Sequence, residues 1–133
     1  MQIRNFNIDD YDEVYKLWTS TPGMGLNDID DSMSGIEKYL FRNPDTCFVA
    51  VISGKIAGII LSGHDGRRRY IHHTAVPTEH RNKGIGSALV DAALEALRAE
   101  GINKVALVVF AKNALGNSFW ENRGFQVRED LNY

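Results

Sequence analysis

The residues best suited to chemistry in this chain lie in one stretch, His80-Arg81-Asn82-Lys83-Gly84-Ile85-Gly86-Ser87, where two cations precede a glycine pair and an alanine-rich apolar run follows. A helix that begins on such a turn leaves its first N–H groups without carbonyl partners, and its dipole adds partial positive charge there. An anion is the natural guest. Glycine pairs also arise for purely steric reasons, so the neighbours must decide. Two nucleotide motifs fail: no Gly-Lys-Ser/Thr follows Gly84, and Leu89 stands where G-x-G-x-x-G needs its third glycine.

The surrounding elements must position that turn. Gln2 to Phe6 reads as a first strand, and Asn7-Ile8-Asp9-Asp10 supplies caps for a helix running to about Ser20, with Tyr11, Val14, Tyr15, Leu17 and Trp18 at helical spacing. Thr21-Pro22-Gly23-Met24-Gly25 breaks it. A second helix carries Ile36, Tyr39, Leu40 and Phe41, with Asp31 or Ser34 as its cap, and stops at Asn43-Pro44. Thr46 to Ile52 and Lys55 to Leu61 form a tight hairpin about Ser53-Gly54.

Arg69 to Val76 is the next strand, halted by Pro77, and the glycine turn then opens a helix with Ile85, Ala88, Leu89, Ala92, Ala93, Ala96 and Leu97 on its apolar face and Gly101 at its end. Lys104 to Phe110 is apolar enough to be a strand covered on both faces. Asn113 to Arg123 reads as a helix capped by Gly124, and Phe125 to Glu129 as a last strand. The order β-α-α-β-β-β-α-β-α-β implies an α/β (α+β) chain, with a mixed central sheet and helices on both faces.

With 133 residues, 44% of them hydrophobic and 24% charged, one domain spanning 1–133 is expected. A net charge of −2 without a broad basic surface argues against nucleic acid as a partner. Arg67-Arg68-Arg69 reads as a solvated loop, or else a holder of an anionic group. The single cysteine, Cys47, sits in an apolar run and reads as core. Four scattered histidines and one cysteine suggest no metal site. No segment has the length or polarity of a membrane span or signal peptide, so a cytoplasmic location is expected, and a homodimer is left open.

The run Val76-Pro77-Thr78-Glu79-His80-Arg81-Asn82-Lys83-Gly84-Ile85-Gly86-Ser87-Ala88-Leu89 closely resembles the acyl-CoA-binding motif R/Q-x-x-G-x-G/A of the GNAT acyltransferases, with Arg81, Gly84 and Gly86 in its fixed places. Asn113 and the segment Phe119-Trp120-Glu121-Asn122-Arg123-Gly124-Phe125 resemble the family's N-x-x-A-x-x-L-Y-E-x-x-G-F segment, and the element order agrees over essentially the whole chain. The resemblance implies that acetyl-CoA is the acyl donor. Its pyrophosphate would rest on the N–H groups of Asn82, Lys83, Gly84, Ile85, Gly86 and Ser87. Its pantetheine arm would pair with Thr74, Ala75 and Val76, and Asn113 and Trp120 would stand beside it.

Acetylating a primary amine requires the neutral form, which at pH 7 is about one part in a thousand of an alkylamine with a pKa near 10.4. A base is therefore needed, and the departing thiolate gains from a nearby donor. Trp120 occupies the place of the family's frequent tyrosine acid and cannot replace it, since indole is only a hydrogen-bond donor. Val108 stands where N-terminal acetyltransferases carry a glutamate base. Strict strand alternation puts Tyr70, His72, Thr74 and Val76 on one face and His73 on the other. His72, at a place resembling one histidine position of the arylalkylamine acetyltransferases, is the expected base, against the plainer reading of a hydrogen-bonded sheet histidine. Tyr70 would relay a proton, bind substrate or pack in the core. Trp18, Met24, Asp28 and Asp30 fall where the family forms its acceptor cleft, with Asp31 beside them, and the acidic side chains would draw in a cationic amine. The expected activity is N-acetylation of a small-molecule or peptide amine by direct transfer in a ternary complex; the alternative is a non-catalytic acyl-CoA sensor.

Overall fold

The computed structural model describes residues 1–132. Five strands form one sheet in the order β1 (Gln2–Asn5), β2 (Phe48–Ile52), β3 (Lys55–His64), β4 (Arg69–Ala75) and β5 (Ala106–Leu107), antiparallel except for the parallel β4–β5 pair. Helices α1 (Tyr11–Thr19) and α2 (Met33–Arg42) cover one face. Helices α3 (Ile85–Ala99) and α4 (Ala114–Asn122) cover the other, so the expected mixed sheet with helices on both faces is present.

Local chemistry accounts for most boundaries. Asn7 Oδ1 accepts the Asp9 N–H at 2.9 Å while Asp10 accepts the Asn7 N–H at 3.1 Å, a reciprocal cap that leads into α1. Ser53 and Gly54 both take positive φ, as a two-residue hairpin requires. The α2 cap is neither Asp31 nor Ser34 but Ser32, whose Oγ accepts the Gly35 N–H at 3.1 Å. Asp31 is thereby released for another partner. On the α1/α2 face, Val14, Trp18, Ile36, Val49 and Ile59 are fully buried; on the other, Ile60, Leu89, Val90 and Ala93 are.

Two strand expectations are corrected. Only Ala106 and Leu107 of the run 104–110 pair with β4, and Val108 and Phe110 are 66% and 59% exposed. Phe125 to Glu129 forms no strand: its start is tied back to α4 by the Phe125 N–H donating to the Trp120 carbonyl at 3.0 Å, and Val127 is exposed. The apolar character of 104–110 predicted cover on both faces, but pairing with β4 ends at Leu107 and, among the described residues, no strand flanks β5 on its outer side, so the second half of that run joins no ladder.

Candidate active site

β4 delivers the chain into the turn that opens α3. Asn82 and Gly84 both adopt left-handed backbone, at φ 61° and 80°, and nothing lies within 4 Å of where a Cβ on Gly84 would stand. None of the N–H groups from Asn82 to Ser87 donates to a backbone acceptor across this turn, so successive amides face open space at the positive end of a 15-residue helix. The Arg81 Nε donates to the Val76 carbonyl at 3.1 Å, which braces the turn against the strand it leaves. Gly86 serves a different purpose: a Cβ there would stand 3.1 Å from the Phe119 ring, so its absence lets α3 and α4 approach.

Beside that turn β4 and β5 part. Their pairing ends at Ile71 and Leu107, leaving the β5-facing backbone edge of β4 beyond that point free. The gap opens a cleft of about 490 Å³ whose walls include His72, His73 and Thr74 of β4, residues 107–110 opposite, the loop Thr21 to Gly25, and Asn113 and Trp120 from the α4 side. The Thr74 hydroxyl is buried there without a hydrogen-bond partner among the described residues. Open amides, a free strand edge and an orphaned hydroxyl suit a long, amide-bearing anionic thioester such as acyl-CoA.

β4 carries one extra residue against β3. Ile60 faces Thr74 and Ser62 faces Ile71, so His72 and His73 together oppose Leu61 alone, a β-bulge. The alternation expected from the sequence is thereby broken. Both rings lie on the α1/α2 face: His72 packs edge-on to Tyr39 at 5.6 Å and beside Tyr70 at 6.0 Å, and His73 packs edge-on to Trp18 at 5.0 Å. Val76 packs into the opposite core. His73 Nε2 lies 2.7 Å from Asp31 Oδ1. An ionised carboxylate only accepts, so the ring nitrogen donates. Asp31 is 5% exposed, and its other oxygen accepts the Asn27 N–H at 2.8 Å. His72 is reached by water from the cleft, yet protein crowds it; the resulting desolvation, with the neighbouring His73 adding to it, holds its imidazole below the ordinary value, and Asp31 opposes the shift.

The family model of the GNAT acetyltransferases matches residues 11–125. The chain belongs to that family. An acetyltransferase of Sodalis glossinidius is 31% identical over 98% of this chain and 91% of its own length. Among solved structures, Ard1 from Thermoplasma volcanium superposes with a TM-score of 0.84 at 25% identity, covering 96% of this chain and 83% of its own. The PaiA N-acetyltransferase of Thermoplasma acidophilum, in complex with coenzyme A, superposes at 0.84 with 19% identity, covering 96% and 91%. The protein is thus an acetyltransferase of a family that takes its acyl group from acyl-CoA, and the sensor reading gives way.

Of the side chains singled out from the acetyltransferase's sequence, Met24, His72, Thr74, Asn113 and Trp120 line the cleft together. Asn113 also caps α4, its Oδ1 accepting the Gly116 N–H at 2.9 Å. Trp18 is fully buried in the core and touches the cleft only through His73. Asp28 and Asp30 are exposed on the α1–α2 loop and do not line the cleft, and Tyr70 stands behind His72. Cys47 is fully buried, its thiol pushed up to about 12 by burial. Sequence reasoning missed the His73–Asp31 pair and Phe110. The adjacent histidines were a signal, but alternation assigned them to opposite faces. Among the described residues no cluster of His, Cys, Asp and Glu is placed to hold a metal, and no helix is long and apolar enough to cross a membrane.

Proposed function

We propose that this acetyltransferase moves an acetyl group from acetyl-CoA to a primary amine of a small molecule or peptide, by direct transfer in a ternary complex. The observation that carries the reading is the order along one strand: β4 lines the cleft with the imidazoles of its bulge and with Thr74, and the chain then leads from β4 into the turn where the amides of Asn82 to Ser87 stand open. Acetyl-CoA, when bound, supplies a thioester carbonyl open to attack by an amine. The amides of Asn82 to Ser87 hold negative charge at one end, and Thr74 to Val76 offer backbone groups along the way. His72 takes the amine's proton; its depressed basicity keeps it neutral, and so competent as an acceptor, at pH 7. Direct transfer is supported by Cys47, which is sealed in the core away from the cleft and so cannot carry the acyl group as an intermediate.

Release of free thiol from acetyl-CoA across a panel of primary amines tests the reaction. Turnover with at least one amine is expected, and its absence with all of them overturns the amine reading. His72→Ala is expected to lower turnover by about a hundredfold or more with CoA affinity retained. Unchanged turnover in that variant removes His72 as the base.

A further inference from the structure

The bulge leaves a second imidazole on the cleft wall for which the proposed chemistry has no use. His73 is fixed on two sides, by the Trp18 ring and by Asp31. Because the Asp31 carboxylate accepts from Nε2, the neutral ring carries its proton there and presents a lone pair at Nδ1. Nδ1 has no hydrogen-bond partner among the described residues, and His73 lines the cleft. His72 likewise makes no hydrogen bond among the described residues. The wall therefore carries two imidazoles on consecutive residues, and the tautomer of one is set by a buried carboxylate.

A nucleophile that satisfies both lone pairs needs two protons on the attacking atom. A neutral primary amine has two N–H groups, whereas a secondary amine or an alcohol has one. We propose that His73, oriented by Asp31, accepts a hydrogen bond from the acceptor nitrogen and makes the enzyme selective for primary amines, while His72 takes the other proton. This rests on the amine-acetylation reading above. His73 touches the acceptor in this arrangement, and Asp31 is a positioning residue acting through it.

The test is the ratio of kcat/KM for a primary amine to that for its N-methyl derivative, measured on the full chain with acetyl-CoA. Losing one hydrogen bond in the transition state should lower that ratio about tenfold or more in His73→Ala. CoA affinity should stay within about threefold. His73→Asn, whose side-chain oxygen can still accept, should keep the ratio within about threefold of wild type, and it serves as well if the alanine variant fails to fold. Asp31→Asn, which can present either an acceptor or a donor to Nε2, should lower the ratio by a smaller factor than His73→Ala. A merely structural His73 would depress both amines in equal proportion, and an unchanged ratio in His73→Ala overturns the proposal while leaving the reaction intact. Wild-type enzyme inactive on every amine overturns the reaction itself, and this proposal with it.

Discussion

The claim that the backbone of the α3 turn is the anion ligand can be tested at Gly84 with three substitutions that separate strain, bulk and charge. Gly84 sits at φ 80° and ψ 7°, and a Cβ there meets nothing within 4 Å. Gly84→Ala therefore adds left-handed strain of about 1–2 kcal/mol without a clash. In a chain of this size that lowers Tm by about 3–8 °C. Gly84→Gln adds a neutral side chain of the same length as Gly84→Glu, and only the glutamate brings charge to the mouth of the turn. At about 5 Å from a bound diphosphate and an effective dielectric of about 20, one like-charge pair costs about 3 kcal/mol, more than a hundredfold in Kd. Titration calorimetry with CoA, beside thermal unfolding of each variant, reads both quantities. The expected order is wild type and Gly84→Ala close together, Gly84→Gln weaker, and Gly84→Glu weaker still, with the glutamate penalty shrinking at high salt. Equal affinity in the Gln and Glu variants, at matched stability, would refute a pyrophosphate held at these amides.

The remaining expectations concern His72 and the α2–β3 contact. A base acts only when unprotonated, and burial lowers the pH at which His72 gains its proton, so the acid limb of kcat/KM should fall below the ordinary imidazole value of about 6.5. A limb near pH 7 or above would assign the proton to another group. Gly63 of β3 lies under α2, where a Cβ would come within 2.5 Å of Asn43 Cγ and the Tyr39 hydroxyl. Asn43 is pinned, its Oδ1 accepting the His64 N–H at 2.9 Å, so Gly63→Ala should cost about 1–3 kcal/mol in denaturant unfolding. A variant as stable as wild type would refute close packing of Gly63 against Asn43 and Tyr39.

What was legible in the sequence was whatever local chemistry decides. The α3 turn was readable because glycine at a left-handed position, open amides and an amphipathic helix all act within a few residues of Gly84. The Asn7 cap and the Ser53-Gly54 hairpin were readable for the same reason. The strands failed where partners decide. Lys104 to Phe110 has a buried strand's composition, yet only Ala106 and Leu107 form a ladder with β4, because a ladder needs a partner in register that composition does not encode. The α2 cap shows competition of another kind: Asp31 was a sound capping residue, but His73, 42 residues away, holds its carboxylate and Ser32 takes the cap. No local pattern encodes a partner at that distance.

The bulge at His72 and His73 links these failures. An extra residue in β4 disrupts the ladder and increases local twist, a cost that alternation rules assume is avoided. Here the disruption is offset by what the displaced side chain gains: His73 satisfies a carboxylate that would otherwise be buried with one backbone donor, and its ring fills the space against Trp18. The bulge begins where the β4–β5 pairing ends, so the free edge, the displaced imidazoles and the cleft meet at the same point of β4. Asp31 therefore supports the site twice, through the tautomer of His73 and through the bulge whose displaced ring it holds. The two contributions separate by size of substitution: Asp31→Asn keeps the bulk and disturbs the proton arrangement, whereas Asp31→Ala also removes the anchor and should lower stability and CoA affinity together.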